Sequence, residues 1–223
     1  PINPPLCILL ALFLLDPSRA ESPGGPHTNT PATDIRPPCC RKPLDPSTPT
    51  DQSLFQLESI WTSDVGRQIP LGVLRGRPLV VGMFFTRCEY ACPILVNELK
   101  QLERALPDGL RDRVDFLLVS FDSERDTPED LAAYRRTQQL SPDHWTLLRG
   151  TPDDVRELAA LLGINFQKDA RGQFAHSNTV TVLNAEGEIV RQITGLKLPR
   201  EDLLSLLQQQ TPVLENGSKP GST

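Results

Sequence analysis

Leu79-Val80-Val81-Gly82-Met83-Phe84-Phe85 runs directly into Thr86-Arg87-Cys88-Glu89-Tyr90-Ala91-Cys92-Pro93. The first seven residues are apolar on both alternations, which reads as a strand covered on both faces. Ile94, Leu95, Leu99, Leu102 and Leu106 then recur at helical spacing until Pro107-Asp108-Gly109 breaks the pattern. A buried strand therefore delivers two cysteines to the first turn of a helix. An i, i+4 pair on one helical turn shares a face, with Cα atoms about 6 Å apart. That separation admits a disulfide and equally lets two sulfurs hold one metal ion. Thiols at the positive end of a helix, beside Arg87, are expected to ionise more readily than a free cysteine. Pro93 fits there, because early helical N–H groups have no intrahelical acceptor.

Outward from this junction, Val114–Phe121 predicts a second buried strand. Thr127-Pro128-Glu129-Asp130 and Thr151-Pro152-Asp153-Asp154 are two helix starts, each with threonine as cap, proline in the first turn and acids at the positive end. The second opens the helix Val155–Leu162, and Thr146–Leu148 is a short strand between the two helices. Leu57–Thr62 and Arg67–Leu71 read as a hairpin around Asp64-Val65-Gly66, and Thr179–Leu183 and Ile189–Thr194 as another around Asn184-Ala185-Glu186-Gly187. Pro199–Gln210 predicts a last amphipathic helix. This order specifies an α/β domain: a central mixed sheet flanked by helices, with an N-terminal β-hairpin. A strand feeding a cysteine pair at a helix N-terminus is the arrangement of thioredoxin-like folds. In such folds the loop before the strand Thr179–Leu183 packs against the pair, and His176 stands in that loop.

The ends of the chain are different material. Of 22 prolines in 223 residues, 12 lie in residues 1–50. Leu6–Leu15 is an apolar run too short to span a bilayer, which needs about 20 residues. Ser18-Arg19-Ala20 follows and is close to a signal-peptidase pattern, so residues 1–20 read as an export signal or short anchor. Residues 21–52 are rich in Pro, Ser, Thr and Gly and read as a disordered linker. Residues 211–223 read as a disordered tail, which leaves 53–210 as the folded domain, long enough to bury a core without staples. The hydrophobic fraction is 38% and the net charge is −5, which excludes a multi-span membrane protein and, with no basic cluster, makes nucleic acid a poor partner.

Five cysteines and three histidines carry the remaining chemistry. Cys7 belongs to the export signal, and Cys39 and Cys40 are adjacent in the linker. For Cys88 and Cys92 the residues leave three readings: a structural disulfide, a peroxidatic site suggested by Thr86-x-Cys88, and a redox or metal pair. His27 lies in the linker and His144 reads as a surface residue, whereas His176 faces the pair across the expected fold.

Phe85–Pro93, then Val119-Ser120-Phe121-Asp122-Ser123-Glu124-Arg125-Asp126-Thr127-Pro128, then His176 before a strand, resemble the Sco/SenC family. The resemblance covers roughly Leu54–Leu207. It implies a thioredoxin-like fold, membrane attachment through the N-terminus, and copper held by Cys88, Cys92 and His176. It places Asp122 beside the site as hydrogen-bond partner or pH modulator. It implies work in assembling the dinuclear copper centre of cytochrome c oxidase, by copper delivery, thiol reduction or both. The expected partners are a copper-containing respiratory enzyme subunit and other copper chaperones or thiol reductases, in an exported, periplasmic setting. Two thiolates and an imidazole suit Cu(I), the imidazole also accommodates Cu(II), and Zn²⁺ can use the same set. The alternative is a thiol–disulfide oxidoreductase without copper, in which Cys88 and Cys92 cycle as a redox pair. Such an enzyme has no need of a distal imidazole.

Overall fold

The computed structural model describes residues 50–211 apart from position 171. The segments expected to be an export signal, a linker (as far as Pro49) and a tail (from Pro212), with Cys7, His27, Cys39 and Cys40, lie outside the described residues.

The strand that opened the sequence reading is β3 (Leu79–Phe84), buried at all six positions. It pairs in parallel with β4 (Asp115–Ser120), which pairs in parallel with β5 (Trp145–Arg149). β8 (Thr179–Leu183) lies antiparallel on the other side of β3 and carries β9 (Ile189–Thr194) at the edge. At the opposite edge β5 pairs antiparallel with β1 (Ile60–Ser63), which turns through Gly66 into β2 (Gln68–Pro70). The sheet order is β2-β1-β5-β4-β3-β8-β9, a mixed seven-stranded sheet.

Helix α1 (Ala91–Ala105) follows β3 and buries Cys92, Leu95, Val96, Leu99 and Leu102. Gly82 lies beneath it: a Cβ there would make ordinary contact with Leu99 and Leu95 at 3.6–3.7 Å and press on Leu118 of β4 at 3.3 Å. A short turn of helix, α2 (Asp108–Arg111), leads into β4. α3 (Pro128–Gln138) and α4 (Pro152–Leu161) both start on capping boxes. Thr127 pairs with Asp130 and Thr151 with Asp154, each satisfying two otherwise unpartnered N–H groups. α5 (Arg200–Gln210) closes the chain against α1.

Two features depart from the sequence reading. Cys88 does not share a helical turn with Cys92. It lies in a turn before α1, its N–H donating to the carbonyl of Phe85 at 3.2 Å, and the helix begins only at Ala91. The second departure is a two-stranded ribbon, β6 (Phe166–Lys168) and β7 (Phe174–His176), where only a loop was expected. The ribbon pairs with itself and with no strand of the large sheet.

Register fixes where chemistry can gather. Phe84 of β3 lies beside Ser120 of β4, so the segments leaving both strands emerge together. β8 runs the other way and pairs Val180 with Gly82, so the residues entering it arrive at the same end. The carboxyl ends of adjacent parallel strands are where open α/β sheets place their sites.

Candidate metal centre

Cys88, Cys92 and His176 meet at that end of the sheet, their ligand atoms all within 4.8 Å of one another. Cys92 is fully buried in the first turn of α1, and Cys88 is half-buried above it. The N–H of Cys92 donates to Sγ of Cys88 at 3.3 Å. A sulfur thus caps a helix whose N-cap residue, Tyr90, makes no side-chain cap bond. His176 ends β7 with Nε2 4.0 Å from Sγ of Cys92. Its Nδ1 lies 3.2 Å from the carbonyl oxygen of Ser177. A carbonyl only accepts, so a bond there uses Nδ1 as the donor and leaves Nε2 facing the sulfurs, as a donor to a thiolate when it carries a proton and as a lone pair for a metal when it does not. Aromatic rings wall the imidazole: Phe121 at 4.9 Å between centroids and Phe85 edge-on at 6.4 Å.

The two thiols are electrostatically unequal. Cys88 is lowered to about 3, first by the hydrogen bond from the Cys92 thiol, then by His176 and the N–H groups of Cys92 and Tyr90, against a desolvation cost. Cys92 is pushed up, because its proton is held in that same bond and because it is buried. Arg87 does not take the part its position suggested. Its guanidinium turns to Asp126 and Asp130, at 3.3 and 3.6 Å, and the anionic form of Cys88 is supported by the thiol, the imidazole and the backbone instead.

Asp126 has a role that the sequence did not disclose. Its fully buried carboxylate accepts from the Thr86 N–H at 3.0 Å and from the Thr86 and Ser120 hydroxyls, both at 2.5 Å. It thereby fixes the backbone two residues before Cys88. The available signal was a second acid four positions after Asp122. Asp122 is also buried, but its carboxylate meets Arg125 at 2.5 Å and Lys168 at 3.6 Å rather than joining the sulfur–imidazole group. His144 is half-buried and faces Asp112 at 3.8 Å, away from the group.

Two sulfurs and an imidazole nitrogen are a soft, low-coordinate donor set, suited to copper and usable by zinc. One ionised and one protonated thiol are also the two halves of a thiol-exchange pair.

Comparison with known proteins points the same way. A family model described as SCO1/SenC matches residues 51–211. A SCO1 protein homolog of Bacillus subtilis is 25% identical over 146 residues, 63% of this chain and 74% of that protein. The fold superposes on Bradyrhizobium japonicum ScoI, solved with copper bound, with TM-score 0.59 and 23% identity over 69% of this chain and 97% of that one. It also superposes on BsSco, whose disulfide switch was identified and which belongs to the Sco family of cytochrome c oxidase assembly proteins. There the TM-score is 0.58 and the identity 23%, over 68% of this chain and 90% of that one.

Proposed function

The chain belongs to the SCO1/SenC family, and from that premise we propose that it is a copper-handling assembly factor for a copper-containing respiratory oxidase, cytochrome c oxidase in the first instance. Copper is its cargo, carried by Cys88, Cys92 and His176. The observation that carries this reading is the convergence of two sulfurs and Nε2 within 4.8 Å at the mouth of the fold. Thiols alone serve thiol exchange. An imidazole nitrogen facing them supplies the third donor that Cu(II) requires and that exchange does not. The half-exposed Cys88 gives a recipient thiol an approach from solvent.

The proposal extends to the segments outside the described residues. Leu6–Leu15 followed by Ser18-Arg19-Ala20 supports export, with residues 21–52 tethering a domain over 53–210. A periplasmic site, attached to the membrane through the N-terminus, suits a client whose copper centre is assembled there. No helix among the described residues is long and apolar enough to cross a membrane.

The test is metal content. Protein reduced and loaded with Cu(I) under anaerobic conditions, in the presence of a competing chelator, is expected to retain one copper per chain. Retention far below one would end the copper reading. The polarity of the thiol pair favours a second reading, a thiol reductase. On that reading the wild type and His176→Ala reduce a disulfide client at the same rate, and the wild type binds no stoichiometric copper.

A further inference from the structure

The chain runs from His176 through Ser177 and Asn178 into β8, and Asn178 accepts from the Gly195 N–H at 2.7 Å, but no backbone pairing with the large sheet fixes the strand that carries the imidazole. His176 ends β7, and the ribbon β6–β7 is hydrogen-bonded to no strand but its own. What fastens the ribbon is a side-chain arrangement around Phe121–Asp126. Phe121 packs on Phe166 at 4.9 Å and on Phe174 at 6.1 Å, and Phe85 packs on Phe174 at 5.1 Å. These contacts hold the ribbon down but are tolerant of sliding. The directional tie is Arg125. Its Nε donates to Oδ2 of Asp122 at 2.5 Å, and its Nη2 donates to the carbonyl of Gly172, in the bend between the two ribbon strands.

We propose that Arg125, braced on Asp122, is the positioning residue that sets the His176 imidazole over the two sulfurs, by holding the Gly172 carbonyl and with it the register and tilt of the ribbon. The proposal rests on the reading of Cys88, Cys92 and His176 as a metal centre. Asp122 is 1% exposed while the Arg125 side chain is 33% exposed, so the acid half of the brace is shielded from water. A planar guanidinium can serve a carboxylate and a carbonyl in fixed relative directions, which an ammonium cannot. Gly172 is matched to it. Its φ is +76°, and a Cβ at that position would lie 2.7 Å from Nη1 of Arg125, so a side chain there would displace the guanidinium. The other polar ties run from Lys168, to Glu124 at 2.6 Å at the surface and to Asp122 at 3.6 Å, beyond hydrogen-bond distance, and neither reaches the ribbon's bend.

The same turn grips the other half of the site. The Arg125 and Asp126 N–H groups both donate to the Asp122 carbonyl, at 3.2 and 2.9 Å. Asp126 then holds Thr86, two residues before Cys88. A single turn of chain, Asp122–Asp126, therefore fixes the cysteine segment by one acid and the histidine ribbon by the other acid and its arginine.

Arg125→Ala and Gly172→Ala test this by two routes, one removing the donor and one crowding it. In metal-free protein the ring protons of His176, identified by their loss in His176→Ala, should carry a ring-current shift from Phe121. Both variants should move that signal toward its unfolded position. Amide exchange should rise in Phe166–Lys168 but not in β3 or β4. In loaded protein, Cu(II) affinity should fall about 10–100-fold, the range for losing a residue that orients a ligand, with weakened nitrogen hyperfine coupling, and Cu(I) should be largely kept. Placed on His176→Ala, Arg125→Ala should cause no further loss of Cu(II). Lys168→Met, which removes a charge 3.6 Å from Asp122 but leaves the Arg125–Gly172 bond, should move every readout less than Arg125→Ala. The proposal is overturned by an unmoved His176 ring signal in both variants, by exchange that rises equally in the large sheet, or by an equal loss of Cu(II) with and without His176. Wild type that binds no copper would sink the metal reading alone, because the metal-free ring and exchange measurements still decide the part of Arg125.

Discussion

The backbone N–H of Cys92 donates to the sulfur of Cys88 at 3.3 Å, so a cysteine outside the helix caps the helix that contains its partner. Together with the bond from the Cys92 thiol and the His176 imidazole, this lowers Cys88 to about 3, while Cys92 is pushed up. In the copper-free, reduced protein Cys88 is the nucleophile and Cys92 the reserve. Alkylation at limiting reagent should modify Cys88 first, at a rate nearly constant from pH 5 to pH 8. A free thiol near 8.5 would gain roughly tenfold per pH unit over that range. A rate that climbs with pH, or equal labelling of Cys92, would refute the assignment.

The same shifts predict how stability follows pH. A group whose folded value is depressed stabilises the fold fully above its unfolded value and loses that contribution as pH falls toward the folded one. For Cys88 the window runs downward from about 8.5, the unfolded value of a thiol. Cys92 has the opposite sign: raised in the fold, it contributes below its unfolded value and loses that contribution as pH rises past it. The thermal midpoint of the reduced, copper-free protein should peak near pH 8 and decline on both sides. Half-exposure of Cys88 and solvent screening keep the acid-side slope shallow. Cys88→Ser should flatten that slope between pH 8 and pH 5. An unchanged slope would assign the acid-side loss to carboxylates.

Asp126 presents a different balance. Its carboxylate receives three hydrogen bonds from Thr86 and Ser120, within the core at the mouth of the site. Asp126→Asn keeps the shape but replaces an acceptor oxygen with a donor, leaving one or more of those groups unpartnered. We expect a loss of about 2 kcal/mol, or a midpoint lower by roughly 4–8 °C for a domain of this size. Asp126→Ala should cost more, because it leaves the Thr86 N–H and both hydroxyls without their acceptor. Thermal melts of both variants check this. A midpoint within a degree of wild type for Asp126→Asn would show that water replaces the lost bonds.

Much of this architecture was legible because it is local. The apolar run of β3 has no polar face to mislead, and the two Thr-Pro-acid starts of α3 and α4 encode their caps within four residues. What escaped notice depends on partners far along the chain. The ribbon that carries His176 is two strands of three residues with exposed polar positions, too short for periodicity to register. Spacing alone could not show that Cys88 precedes the helix, since a pair four apart can converge from a turn as well as from a helical face. Arg87 reads as a neighbour of the thiol in sequence, yet Asp126, 39 residues on, draws it away. Arg125 and Asp126 sit in the motif that carried the resemblance, but Thr86 is brought to Asp126 only by the β3–β4 register, and Gly172 to Arg125 only by the packing of the ribbon.

The most discriminating prediction separates the three ligand candidates by oxidation state. Cu(I) is content with two sulfurs in a near-linear arrangement, whereas Cu(II) requires further donors and favours imidazole. His176→Ala leaves both sulfurs and removes Nε2, 4.0 Å from Cys92. Its Cu(II) affinity should fall by more than the ~10–100-fold typical of losing only a supporting residue, while close to one Cu(I) per chain survives a moderate chelator. Cys88→Ser and Cys92→Ser should lose both forms, since a hydroxyl is a poor donor to a soft ion. His176→Ala should still form the Cys88–Cys92 disulfide on oxidation, because exchange needs only a thiolate and a second thiol. Its Cys88 should also remain readily alkylated near neutral pH, because the bond from the Cys92 thiol, rather than the imidazole, is the largest cause of its low value. Competition titrations with each oxidation state, visible and paramagnetic spectra of the Cu(II) form, and mass-resolved thiol labelling read these outcomes independently. Cu(II) affinity unchanged in His176→Ala would remove the imidazole from the ligand set.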